Sequence, residues 1–295
     1  YASCFLRLAY TFRPVKRKEK MNALQPTADA KLNDVVKTLV AGMRSVLGEH
    51  LLGVYLGGSF AHGGGGPYSD VDFDVVIDRD LLPCERDALK VVHAKVFTLD
   101  SYWARHLEGA YFPENILGDL QSTDIPVWYL DNGHLDFQLS THDNTLVNRW
   151  VLREHGIILF GPNPKQWIPP VPGRLLKEEV VATMQTWGEE ILIDEYQLDN
   201  GWAQNFAVLM YCRMLHTLAT GRVASKPAGA AWAKENLDPR WESLIDDALQ
   251  ARPNQYEKFY QPSDPRKVHL TKAFIRYALA EAQQRYSGMD ALNGA

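Results

Sequence analysis

The stretch GGSFAHGGGGPYSDVDFDVVID, residues 57–78, limits what this chain can fold into more than any other segment. Glycines at 57, 58 and 63–66 remove side-chain bulk from a short span, which predicts a loop whose backbone can come close to a ligand. Aspartates then recur at 70, 72 and 74, alternating with Val71, Phe73 and Val75. Successive residues of a strand point to opposite faces, so the pattern predicts a strand with one carboxylate face and one apolar face. LLGVYL, immediately before the glycines, predicts another strand, whose end delivers Ser59.

The flanking segments supply the rest of a mixed domain. Residues 27–48 carry Leu32, Val35, Val36, Leu39, Val40, Met43, Val46 and Leu47 at helical spacing, with Thr27 as the expected N-cap and Gly48 as the stop. Strands are expected at 107–112 (LEGAYF), 127–130 (VWYL), 134–140 (HLDFQLS) and 156–160 (GIILF), with helices near 84–95 and 143–154. FGPNPKQWIPPVPG, residues 160–173, crowds prolines and glycines together and marks a domain boundary. Beyond it, helical patterns run over 174–196, 202–221, 225–237, 239–250 and 264–286. The expected fold is α+β: a mixed sheet with helices over 27–165, then an α-helical bundle over 174–288. With 295 residues and 46% apolar content, two cores can be filled.

Composition narrows the function. A formal charge of -5 offers no general attraction to nucleic-acid backbones, which disfavours a nucleic-acid partner. Cys4, Cys84 and Cys212 are odd in number and far apart, so no disulfide framework or zinc knuckle can be read from them, and a reducing cytoplasm fits. The opening YASCFLRLAYTFRPVKRKEK puts its apolar run before its basic cluster, the reverse of a secretory signal, and is too short to span a bilayer. Residues 1–26 are expected to form a disordered extension, with Met21 a candidate native start.

Parallel carboxylates repel unless a hard cation sits among them, and Mg²⁺ commonly takes one or two carboxylates together with waters and phosphate oxygens. The glycines and Ser59 offer backbone N–H groups and a hydroxyl without bulk, which suits a polyphosphate. Phosphate beside metal describes nucleotide chemistry. A calcium loop of the EF-hand type is disfavoured, because its glycine and terminal glutamate are not at the required places after Asp70.

Gly58-Ser59 followed by Ser69-Asp70-Val71-Asp72 resembles the signature of the polymerase-β-type nucleotidyltransferases. FAVLMYCRMLHTLATGRVASKPAGAAWAKENL (206–237) and VLREHGIILFGP (151–162) are similar to the aminoglycoside nucleotidyltransferases of the streptomycin and spectinomycin adenylyltransferase type. The resemblance implies Mg²⁺ on Asp70 and Asp72, with Gly58, Ser59, Ser69, Arg213 and Lys226 on the ATP triphosphate. Glu108 would be the carboxylate that receives the acceptor's hydroxyl proton, and Asp136 its rival as third carboxylate. It also implies ATP bound between two domains and AMP passed to a hydroxyl of a small, aminoglycoside-like acceptor.

Glu189, Glu190, Asp194, Glu195 and Asp199, with Trp187 and Trp202 nearby, would suit a cationic sugar. The drug-binding members of the family carry an acidic residue shortly before the asparagine matching Asn205, whereas this chain has Trp202 there. The expected protein is thus a cytoplasmic, monomeric O-adenylyltransferase with no membrane partner. The alternatives are a nucleotidyltransferase acting on protein or RNA, and a nucleotide-binding regulator, antitoxin-like, without turnover.

Overall fold

The computed structural model describes residues 26–193, 198–252 and 259–293. All but Pro26 of the expected extension therefore lies outside them. The described chain divides into two compact units, and the division is not a single cut near residue 165. One unit comprises residues up to 56, 70–144 and 157–167; the other comprises 57–69, 145–156 and everything from 168. The glycine-rich segment and the helix after residue 145 are thus grouped with the helical half.

The first unit is built on a six-stranded sheet: β1 (Leu51–Leu56), β2 (Val71–Ile77), β3 (Leu107–Pro113), β4 (Val127–Leu130), β5 (Phe137–Ser140) and β6 (Ile157–Phe160), in the order β5-β4-β3-β2-β1-β6. Only β2 and β3 run parallel; the other neighbours are antiparallel. Helix α1 (Ala30–Leu47) buries Leu32, Val35, Val36, Leu39, Val40, Met43 and Leu47, the stripe its spacing predicts. Its N-cap is Asp29 rather than Thr27. The Asp29 carboxylate accepts from the amides of Lys31 at 2.8 Å and Leu32 at 3.2 Å, while the Thr27 hydroxyl is committed to Asn33 at 2.9 Å.

The alternation in β2 works as expected on one face. Phe73 stacks on His93 of α3 (Pro83–Phe97) with centroids 5.7 Å apart, and the His93 ring is 2.9 Å from the hydroxyl of Tyr111 on β3. The other face of β2 is not an open carboxylate surface, since Asp74 is only 3% exposed. The expected strand at 134–140 is shorter, beginning at Phe137, so Asp136 lies ahead of it.

The second unit is helical. A single turn, α2 (Gly58–Ala61), holds Ser59 where a plain loop was expected. Then come α5 (Leu146–His155), α6 (Gly173–Ile193), α7 (Gly201–Thr220), α8 (Lys226–Asn236), α9 (Glu242–Ala251) and α10 (Pro265–Asn293); a short α4 (Glu114–Gly118) belongs to the first unit. The core joins Val180, Met184 and Ile191 of α6 to Tyr211, Leu215 and Leu218 of α7 and Phe274 and Ile275 of α10. Helix α5 begins at 146 rather than 143, because Thr145 caps it by accepting from the Asn148 amide at 3.0 Å. Glu179 of α6 accepts from the amides of Leu146 and Val147 at 2.7 and 2.9 Å. Gly221 ends α7 at φ +68°, as its position in the sequence predicts. Among the described residues no helix is long and apolar enough to cross a membrane.

Close approach of β2 and β3 depends on Gly109: a methyl group there would lie 2.1 Å from the Phe73 carbonyl oxygen. Gly109→Ala should therefore destabilise the protein by about 2–4 kcal/mol. The check is the urea midpoint, and an unchanged midpoint would show that the strands can part without cost.

Candidate active site

In the parallel register Asp72 stands opposite Glu108 and Asp74 opposite Ala110. Paired residues on adjacent strands share a face, so Asp72, Asp74 and Glu108 project to one side of the sheet. Asp70 sits immediately before β2, where the Val71 amide donates to the His106 carbonyl at 2.8 Å. The antiparallel β3–β4 pairing then adds Tyr129, which is opposite Ala110.

Glu108 is strongly perturbed. Burial, followed by the charge of Asp72, pushes its carboxyl up to about 7; the Tyr129 hydroxyl, donating at 2.5 Å, opposes this, and Asp70 and Asp131 add to it. Asp143 is raised well above the ordinary aspartate range by burial, and then by Asp74, Glu108, Asp72 and Asp131. Asp131 and Asp143 were not foreseen. Asp131 follows β4 by one residue, and Asp143 lies in the turn that the later start of α5 creates. The ligand atoms of Glu108, His142 and Asp143 all lie within 4.8 Å of one another.

Together with Asp72, paired with Glu108, and Asp70 just before β2, this cluster fits a hard divalent cation. Carboxylate oxygens dominate it, and two of its carboxyls are raised, first by burial and then by like charge, the part that a cation relieves. Asp136 is outside this group: its exposed carboxylate pairs with Lys90 at 2.8 Å.

The phosphate-binding candidates lie in the second unit. Gly58 takes φ +47° at the start of α2, a conformation natural to glycine. Ser69 accepts from the Gly66 amide at 2.9 Å and so closes the glycine loop. The loop lies against the start of α8: the Arg252 guanidinium donates to the Gly64 carbonyl, and a methyl on Gly64 would be 3.5 Å from the Ser225 side chain. Arg213 of α7 donates to the Ala224 carbonyl at 2.8 Å.

Lys226 places its ammonium 4.5 Å from the centre of the Phe206 ring, and Trp202 stacks on Phe206 at 4.8 Å. Trp202, Asn205, Phe206, Lys226 and Arg252 line one open pocket of this unit. Trp187 does not line it and instead stacks on Tyr211 at 5.6 Å. Glu189, Glu190 and Asp199 are exposed, while Asp194 and Glu195 fall outside the described residues. His62, near the glycines, lies 4.5 Å from the His155 ring and is pushed down to about 4 by burial, then by His155, Arg213 and His216.

A raised carboxyl has a sign consequence for stability. The folded protein holds the Glu108 proton more tightly than the unfolded chain, so this contribution is full below about pH 4.5 and is lost as pH rises through about 7. Its upper size is about 3 kcal/mol. Thermal melts in EDTA between pH 5 and 8 should show wild-type stability falling with pH, and a flatter profile for Glu108→Gln. Identical profiles for the two proteins would contradict the assignment.

Residues 166–281 match the family model of the aminoglycoside adenylyltransferase C-terminal domain. The chain is 26% identical over 269 residues to an aminoglycoside (3'') (9) adenylyltransferase of Klebsiella pneumoniae, covering 83% of this chain and 95% of the relative. It is 27% identical to a spectinomycin 9-adenylyltransferase of Staphylococcus aureus, over 73% of this chain and 83% of that protein. Its fold matches the crystal structure of the spectinomycin adenyltransferase AAD(9) from Enterococcus faecialis with ATP and spectinomycin. That match has a TM-score of 0.63 at 18% identity and covers 85% of this chain and 98% of the other.

Proposed function

From its resemblance, over most of its length, to the aminoglycoside and spectinomycin adenylyltransferases, we propose that this chain transfers AMP from ATP to a hydroxyl of a small, aminoglycoside-like antibiotic. One observation carries the reading within the molecule: Asp72 and Glu108 face each other on paired parallel strands, directly after Asp70.

The acceptor oxygen attacks the α-phosphorus, the bond from that phosphorus to the bridging oxygen breaks, and pyrophosphate leaves with the bond's electrons. Glu108 as carboxylate takes the proton of the attacking hydroxyl. Burial, the largest cause of its raised carboxyl, makes it a stronger base than an exposed glutamate. Mg²⁺, held by Asp70 and Asp72, would neutralise phosphate charge and hold the α-phosphate for in-line attack. Gly58, Ser59 and Ser69 supply donors to the triphosphate, and Arg213 and Lys226 supply positive charge for the departing pyrophosphate.

The acceptor side has its own support. Carboxylates at 108, 131 and 143 lie in mutual electrostatic reach and suit a cationic or hydroxyl-rich sugar. Trp202, at the position where the resemblance leads one to expect an acid, stacks on Phe206 and gives an aromatic platform. The chain is proposed to act in the cytoplasm, where ATP is supplied, and as a monomer, which sedimentation velocity would test.

The deciding experiment is pyrophosphate release from ATP and Mg²⁺ with streptomycin, spectinomycin and a panel of aminoglycosides. One drug class should support turnover. Asp72→Asn should lower kcat at least about 100-fold and Glu108→Gln by about 10²- to 10⁴-fold, with circular dichroism unchanged. Asp136→Asn should stay within about twofold of wild type, since Asp136 lies outside the carboxylate group. Full activity in Asp72→Asn would sink the proposal.

A further inference from the structure

The orientation of Glu108 is set from the neighbouring strand. Ala110 pairs with Tyr129 across β3 and β4, which makes Tyr129 the diagonal neighbour of Glu108 on the same face, within reach of a long aromatic side chain. The phenol donates to Oε1 of Glu108 at 2.5 Å and makes only a longer approach to Asp131, at 3.4 Å. His142 Nε2 lies 3.6 Å from the same Oε1. Among the described residues no hydrogen bond reaches Oε2 of Glu108. The two carboxylate oxygens are therefore unlike: one is held by Tyr129, and the other makes no hydrogen bond among the described residues.

We propose that Tyr129 is a positioning residue, holding the Glu108 carboxylate by Oε1 so that Oε2 receives the proton of the acceptor hydroxyl. The inference rests on the role assigned to Glu108 above. Tyr129 is 4% exposed, and its ring is braced against His142 with centroids 5.3 Å apart. The phenol keeps its proton: burial, then the hydrogen bond to Glu108, raises it far beyond the ordinary tyrosine range, so it acts only as donor. A phenylalanine would fill the same volume and make the same ring contact, yet would release the carboxylate to rotate. Loss of orientation at a reacting group is costly even when the displacement is of the order of 1 Å.

The test compares wild type, Tyr129→Phe, Glu108→Gln and the double variant, with ATP, Mg²⁺ and streptomycin or spectinomycin. Tyr129→Phe should lower kcat by about 10- to 100-fold, with its melting temperature, ATP affinity by calorimetry and KM for ATP unchanged. In the Glu108→Gln background the same change should cost nothing further, because its only route to the reaction has gone. A kcat within twofold of wild type, an equal further loss in the double variant, or a parallel loss of ATP affinity would each overturn the proposal. If the wild type releases no pyrophosphate with any drug of the panel, the functional reading fails on its own. Crystal structures of wild type and Tyr129→Phe then decide the positioning role: a carboxyl that turns in the variant supports it, and an unmoved one refutes it.

Discussion

Pairing β2 with β3 in parallel register sets Asp72 against Glu108 at the spacing of neighbouring strands, about 4.8 Å between backbones. Two like charges at that distance, on a face that also holds Asp74 at 3% exposure, oppose the fold that brings them together. The apolar face supplies the opposing attraction, with Phe73, His93 and Tyr111 packed between the sheet and α3. The sheet is thus stabilised from one side and electrostatically stressed from the other, and the stressed side is the one proposed to carry the chemistry. Local strain of this kind at a functional site is offset by packing elsewhere.

What the sequence disclosed follows the range of the interactions involved. The Asp70-Asp72 pair and the strand under it come from alternation, which is local, and the helical stripes of α1 and α7 come from periodicity, which is local too. The α+β architecture could be read from those patterns. The partner of β2 could not, since a parallel pair joins residues some 36 apart through tertiary packing alone. Glu108 was placed by resemblance, and the register then set it opposite Asp72. Asp143 stayed hidden because an aspartate ahead of a helix reads as part of that helix until the cap at Thr145 is seen. Asp136 looked suitable because a strand pattern continued through it, yet β5 begins one residue later and leaves it in water beside Lys90.

The helical unit shows a different limit. Lys226 and Trp202 stand 24 residues apart in the sequence, and nothing in the spacing says that both meet Phe206. The meeting follows from α7 and α8 packing so closely that a methyl on Gly229 would fall 2.9 Å from the Arg213 Cα. Small residues at such crossings are visible in a sequence, but which helices they bring together is not. Trp187, an aromatic of the same appearance, was drawn instead onto Tyr211.

Strand order has a consequence for the chain during its own synthesis. β1 lies between β2 and β6, and β6 is the last strand to be made, about a hundred residues after β1. Until residue 160 has left the ribosome, β1 therefore pairs on one side only. Its other edge is an apolar run, LLGVYL, without the charges or prolines that guard natural edges. For that interval the nascent chain exposes a template for strand addition, which must be covered by chaperones or by speed of elongation. Between residues 77 and 157 of synthesis this edge of β1 therefore waits for a partner that the chain has not yet made.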